Sequence, residues 1–243
     1  MKDDYDQVGE AYVQLVDSGP VLPLRRRLLG ELAGPAAGRS VLDLGCGNGC
    51  YGRQLLGQGA ASALGVDLSA GMLAQARRLS AEAGDSMQFE QADLLDWACS
   101  RSFDITLAIW VFCVASDYPT LARLYAAAAR VTRADGRFIA AFNRPDYEPT
   151  PDDGDYGVRM LRLAPECGVR RLRAVFGGAA HSTQLVDYQW DVASHERAAR
   201  TAGFTQLEWH VLRANAVEQA AAPSGFWDAY NANPLETFLL CRR

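Results

Sequence analysis

The sequence predicts an α/β fold, a parallel sheet covered by helices on both faces, and three observations carry that expectation. From Ser40 to about Phe142, apolar β-rich runs alternate with helix-length amphipathic segments. Such alternation builds a parallel sheet through right-handed crossovers. The first run ends in a cluster of glycines that leads straight into a helical segment, as at the ligand edge of an open α/β sheet. A length of 243 residues, 49% of them hydrophobic, suits one such domain with an insertion.

Four segments follow in order. Residues 1–39 contain LPLRRRLLGELAG and are expected to form a helical cap over the ligand edge of the sheet. Residues 40–143 form the core. Its expected strands are SVLDLG (40–45), SALGVDL (62–68), MQFEQA (87–92), FDITLAIWVF (103–112) and GRFIAAF (136–142). Between them lie YGRQLLGQG, a Leu/Ala/Arg segment, a short turn around Leu94–Trp97, and YPTLARLYAAAARV. Ser69 reads as the N-cap of the second helical segment and Gly84 as its stop. The regularity breaks at Asn143. Residues 144–190 are rich in Pro, Gly and Asp before two strand-like runs, and read as an inserted lid or hairpin. Residues 191–243 complete the core sheet with a helix, SHERAARTAGF, and two strands, FTQLEWHVL and PLETFLLC.

Charge and composition narrow the partners. The net charge of −5 leaves no global basic field for a phosphate backbone, so no nucleic-acid partner is expected. Arg25-Arg26-Arg27 and the trio Arg170, Arg171 and Arg173 read as solvated helix or strand edges. The start of the sequence lacks an apolar signal core, and no run of about eighteen apolar residues occurs. A cytoplasmic protein without membrane contact is expected, as monomer or homodimer. Six cysteines make no CxxC pair and three histidines (His181, His195, His210) share no ligand spacing, so neither a metal site nor a disulfide framework is expected.

The most informative stretch is VLDLGCGNG (41–49). Glycines there admit positive φ and let a ligand approach the backbone closely. Two cofactors compete for the loop. Gly47-x-Gly49-x-x-Gly52 matches the dinucleotide fingerprint formally, with Asp67 about 20 residues on to hold a ribose. Asp43, inside the strand just before the loop, opposes that reading. A carboxylate repels a pyrophosphate and favours a sulfonium amino acid with its ammonium group. Asp67 suits both, because both ligands carry a ribose diol.

VLDLGCGNG, GVDLS (65–69), QADLLDW (91–97), FDITLAIWVF (103–112) and VTRADGRFI (131–139) together resemble the successive motifs of class I S-adenosylmethionine-dependent methyltransferases, over roughly residues 38–142. The resemblance implies a Rossmann-like, seven-stranded, mostly parallel sheet with a reversed final hairpin, and S-adenosylmethionine as cofactor. It implies that Gly45, Cys46 and Gly47 meet the methionine part, Asp67 the ribose hydroxyls, Leu68 the adenine face and Asp93 the adenine amino group, with Leu94 beside it. Ile109 or Trp110 would line the methionine side, and Asp43 would contact the ammonium end indirectly. Tyr5 and Met72 complete the expected cofactor set. A narrower resemblance, through YDQVGEAY, DYGVRMLR, DYQW and FWDAYNANPLETFLLC, is to small bacterial methyltransferases related to the toxoflavin-pathway N-methyltransferase.

Methyl transfer from a sulfonium needs an aligned nucleophile in a dry pocket, and aromatic walls both exclude water and stabilise a cation. Tyr12, Tyr156, Tyr188, Trp190 and Trp227 are the aromatic candidates for such walls, with Cys113 and Asn143 at the strand ends. They point to a small, flat heteroaromatic or amine-bearing metabolite, methylated on nitrogen or oxygen. His181, in the insertion, is the candidate general base; His195 and His210 read as structural. Two alternatives stand beside this reading: an NAD-dependent oxidoreductase, on Gly47–Gly52, and a non-catalytic interaction protein on the methyltransferase fold.

Overall fold

The apolar runs become strands, and the helical segments between them form as spaced. In a computed structural model, which describes residues 19–150, 155–177 and 183–243, the strands are β1 (Ser40–Leu44), β2 (Ser62–Asp67), β3 (Gln88–Gln91), β4 (Phe103–Ile109), β5 (Thr132–Asn143), β6 (Val158–Glu166), β7 (Val169–Phe176), β8 (Thr183–Gln189), β9 (Gln206–Val211) and β10 (Glu236–Arg242). The helices are α1 (Leu22–Ala33), α2 (Cys50–Gly57), α3 (Ala70–Ala83), α4 (Tyr118–Val131), α5 (Val192–Thr201) and two short ones, α6 (Ala216–Ala220) and α7 (Asp228–Ala232). Seven strands pair in the order β3-β2-β1-β4-β5-β10-β9. The first five run parallel, and β10 pairs antiparallel with both β5 and β9. The sheet is the mostly parallel one expected, closed by a reversed hairpin.

The alternation of side chains along each strand divides the core between the two faces. Ile139 and Ala141 of β5 join Leu107, Phe238 and Leu240 in a cluster with α1, α2 and Leu73 of α3. Their neighbours Phe138, Ala140 and Phe142 join Leu239 and residues of α4 and α5 on the other face. Local signals behave as read. Ser69 accepts from the Met72 amide at the start of α3, and Gly84 ends that helix in a left-handed conformation. His195 is buried, stacked on Phe142 at 4.0 Å and hydrogen-bonded to the Tyr125 hydroxyl at 2.9 Å. Burial pushes its pKa down to about 3, so it is a neutral packing residue.

Three expectations change. The insertion, expected as a lid or hairpin, gains a strand and forms a three-stranded antiparallel sheet, β6-β7-β8; the run VRMLRLAPE supplies the extra strand and buries Val158 and Met160 on one face. The strand expected over 103–112 stops at Ile109, because Trp110 takes a φ of 64° and turns the chain. Arg25 is not solvated: α1 buries Leu22, Arg25, Leu29 and Leu32 at helical spacing, which carries the guanidinium inward. Among the described residues no helix is long and apolar enough to cross a membrane.

Candidate functional site

At the carboxyl end of β1 the chain turns through Gly45, Gly47 and Gly49, with φ of 64°, 53° and 76°. Gly45 has no substitute here, because a Cβ would lie 2.5 Å from Val111 Cγ2 as well as requiring positive φ. The Gly45 and Cys46 amides donate to the Val66 carbonyl, tying the loop to β2. From the end of β2, Asp67 accepts the Gly47 amide at 2.7 Å and the Ser69 amide at 2.9 Å. Beneath the loop, Asp43 is 1% exposed and accepts the Gly52 amide at 3.1 Å. Burial pushes its carboxyl up to about 7 against that hydrogen bond, and the nearby negative Asp67 adds to the rise.

This geometry bears on the choice of cofactor. Gly52 lies in the first turn of α2, whose amides would have to receive a pyrophosphate. One of them is already given to a buried carboxylate. The same carboxylate is stabilised by a cation placed in the loop. Around it, Leu68 is 40% exposed despite being apolar, beside Asp67. Met72 is buried with its Cε 3.1 Å from where a Gly47 Cβ would sit. Cys46 is also buried, and burial raises its thiol well above the usual range. Asp93 is exposed and accepts the Leu95 amide at 2.9 Å; Leu94 beside it is half-buried. The loop, Asp67, Leu68 and Met72 thus come together as one edge, with Asp93 on the loop after the neighbouring β3.

Ile109, the last residue of β4, is buried and points into the core, while Trp110 begins a cavity. A left-handed tryptophan is strained, and such strain persists only where the surroundings fix it. Here the Trp110 amide donates to Ala141 O at 2.8 Å, its carbonyl accepts from Cys113 Sγ at 2.8 Å, and its ring lies 5.5 Å from the Arg25 guanidinium. The cavity measures about 420 Å³ including its open mouth, and runs between the ends of β4 and β5, Arg25 of α1, and the inserted sheet. Its apolar wall includes Trp110, Val158, Met160, Ala174, Phe176, Leu185 and Leu235; its polar wall is Arg25, Asn143 and Asp187. Arg25 makes a two-pronged pair with the buried Glu236, at 2.7 and 2.6 Å.

Of the residues expected at the substrate, Cys113 and Asn143 line this cavity with Trp110. Tyr156 lines an adjoining one, with Val21, Tyr230 and Glu236, that shares Val158 and Leu235 with the first. Trp227 stacks on Tyr156 at 5.7 Å and backs that wall without lining it. Tyr188 stands apart: strand alternation puts Leu185 and Asp187 toward the cavity and turns Tyr188 to the α4 side. Trp190 donates to Ala115 O at 2.9 Å and packs against Tyr118, away from the cavity. Tyr5, Tyr12 and His181 lie outside the described residues. Arg25, Asp187 and Glu236 were missed. In the sequence Asp187 is marked only by the aromatic Tyr188 after it, and a period of two puts those neighbours on opposite faces of the strand. No group of three or more His, Cys, Asp or Glu is placed to hold a metal among the described residues.

Known proteins share this fold. Residues 41–136 match the family described as Methyltransferase domain. A ubiquinone biosynthesis O-methyltransferase from Thiobacillus denitrificans is 34% identical over 125 residues, which are 50% of this chain and 52% of that protein. The chain thus spans about half the length of the curated relatives it matches. Among solved structures, an S-adenosylmethionine-dependent methyltransferase from Mesorhizobium loti superposes with a TM-score of 0.66 at 21% identity, covering 93% of this chain and 99% of that one. A sugar N-methyltransferase from Streptoalloteichus sp. superposes with a TM-score of 0.59 at 21% identity, covering 97% and 94%.

Proposed function

We propose that this chain, whose residues 41–136 are a methyltransferase domain on the class I S-adenosylmethionine-dependent fold, methylates a nitrogen, or an oxygen, of a small heteroaromatic or amine-bearing metabolite. The observation that carries the proposal is the junction at Trp110. There Val111, the residue after Trp110, abuts Gly45 of the loop backed by Asp43 and Asp67, while Trp110 itself lines an apolar cavity with three buried polar side chains. Its lining, mostly apolar with a few convergent polar side chains, is of the kind that small-molecule sites have.

S-adenosylmethionine supplies a methyl group on a sulfonium, open to displacement by a lone pair, so no metal or covalent enzyme intermediate is called for. The chain's own residues bind, orient and dry the site. Gly45, Cys46 and Gly47 present backbone at close approach, and Asp67, fixed by two amide donors, offers carboxylate oxygens to a diol. Leu68 and Met72 give apolar surface to a ring, with Leu94 and Asp93 at its rim. Asp43, uncompensated beneath the loop, favours a cationic ligand above it. Trp110, following the buried Ile109, opens the acceptor cavity, whose walls are Asn143, Cys113 and the inserted sheet, with Tyr156 and Trp227 beyond. Holding the two reactants aligned in such a space supplies about 7–11 kcal/mol of the barrier reduction.

Calorimetry with S-adenosylhomocysteine tests this reading, with NAD titrated in parallel. Binding of the former at micromolar concentration is expected. Stabilisation by NAD alone would transfer the loop to the dinucleotide reading. A radiolabelled-methyl assay over a panel of amines and phenols then separates an active transferase from a binding module.

A further inference from the structure

The cavity wall contains a polar pair that the proposed reaction has not yet used. Asp187, on β8, is 6% exposed, and Asn143, at the end of β5, is 2% exposed. The Asn143 amide nitrogen donates to Asp187 Oδ2 at 2.8 Å. A carboxylate only accepts, so this bond fixes which way the amide points. The amide oxygen, Asn143 Oδ1, is buried and has no hydrogen-bond partner among the described residues. The wall therefore presents acceptors, a carboxylate and a carbonyl, and a buried acceptor without a donor is unfavourable until something supplies one.

The charges lead the same way. The other charged side chain of the wall, Arg25, is already matched by Glu236 in a two-pronged buried pair. Among the described residues the partners of Asp187 are neutral: burial pushes its carboxyl up to about 6, opposed by the Asn143 amide and the Cys113 thiol. Facing groups from the packed elements are Cys113 from the turn after β4, Asn143 from β5 and Leu172, its register partner on β7. None of these is a cation. With the Arg25 guanidinium already matched by Glu236, the carboxylate of Asp187 and the open carbonyl of Asn143 complement a ligand with a positive charge and several N–H donors.

We propose that Asp187 and Asn143 anchor the methyl acceptor, and that this acceptor is an amine which enters as an ammonium. The proposal rests on the methyl-transfer reading for its chemistry and on the cavity wall alone for its binding. Asp187 pairs with the ammonium, and Asn143 Oδ1 accepts a second N–H, which orients the nitrogen. One proton then passes from nitrogen to the Asp187 carboxylate, giving a neutral amine and a neutral carboxylic acid, a combination that a dry cavity favours over two charges. The nitrogen keeps the electron pair with which it bonds the methyl carbon, while the pair of the broken S–C bond stays on sulfur. On product release Asp187 returns its proton to water.

The test is binding to the full chain, measured by calorimetry with and without S-adenosylhomocysteine. The probes are primary amines from ethylamine to phenethylamine, each beside its isosteric alcohol. The expected result is that at least one amine binds tighter than its alcohol by about tenfold or more, the scale of one buried charge contact. Asp187→Asn should abolish that preference while leaving S-adenosylhomocysteine affinity near wild type, which reports that the variant is folded. Asp187→Glu, which keeps the carboxylate, should restore part of it. A preference that survives Asp187→Asn, or no amine favoured over its alcohol, overturns the proposal. Amine preference without S-adenosylhomocysteine binding keeps the anchor and sinks the methyl-transfer reading instead.

Discussion

The cofactor edge and the acceptor cavity lie side by side at the top of one sheet, yet they are assembled differently. The edge is local in sequence: Asp43, the glycine loop, Asp67 and Ser69 fall within 27 residues, and each is held by a backbone amide close along the chain or on the adjoining strand. The cavity is assembled from afar. Arg25 meets Glu236 across 211 residues, and Asn143 meets Asp187 across 44. The first region depends on backbone geometry that three glycines permit. The second depends on side-chain pairs buried between segments that meet only in the folded chain. Damage to the first should therefore be local, and damage to the second should be felt by the whole domain.

The largest expected effect follows from the Arg25–Glu236 pair. Glu236→Ala leaves a guanidinium buried and unmatched, and breaking a buried pair from one side costs about 3–5 kcal/mol. Urea denaturation should show that loss as a lower midpoint. Replacing both partners, Arg25→Met with Glu236→Leu, should recover most of it, because well-packed apolar residues of similar volume replace buried ion pairs at little cost. A single variant as stable as wild type would mean that α1 does not depend on β10, and the contrast between the two regions would fail.

Acidity probes both regions at once, because each contains one raised carboxyl. Asp43 rises from 3.8 to about 7 and Asp187 from 3.8 to about 6, both through burial. A carboxyl whose folded pKa is raised keeps its proton longer in the native state, so its stabilising contribution is complete below the unfolded pKa. That contribution is lost as pH rises through the folded value, near 6 for Asp187 and near 7 for Asp43. Between the two limits each group contributes a slope of about 1.4 kcal/mol per pH unit to ligand-free stability. Asp43→Asn should therefore gain on wild type steadily from pH 4 to pH 7, read from denaturation midpoints at several pH values. S-adenosylmethionine, a cation, should narrow the gap by stabilising the ionised Asp43. A gap that does not change with pH would show that Asp43 is compensated in the folded chain.

The same contrast explains what could be read from the sequence. The sheet, the Ser69 cap, the Gly84 stop and the glycine loop were legible, since each is set by residues within one turn or one strand. Asp43 was singled out because its neighbours in sequence are also its neighbours in space. Asp187 was not, because its meaning comes from Asn143 and the cavity, and because the aromatic next to it drew attention to the wrong face of β8. Arg25 looked solvated in a run of three arginines; only the helical phase and a distant glutamate make it a buried residue. The third strand of the insertion was hidden for a similar reason. VRMLRLAPE alternates apolar and charged residues too imperfectly to declare a strand before its partner β7 is in view.

The smallest expected effect lies at the cofactor edge and tests how local that edge is. Ser69 Oγ accepts the Met72 amide at 3.1 Å, and its own amide donates to Asp67 Oδ1 at 2.9 Å. Ser69→Ala removes the first bond and keeps the second, because the backbone amide is unchanged. Loss of such a cap costs about 1 kcal/mol, and here the frayed turn holds Met72, whose Cε packs over Gly47. Thermal unfolding should therefore fall by a few degrees, while S-adenosylhomocysteine affinity weakens by about fivefold at most, the equivalent of that same cap energy. Amine binding at Asp187 should not move. If it did, the cap at the start of α3 would be coupled to a cavity built from the far end of the chain, and the edge and the cavity would have to be treated as one cooperative unit.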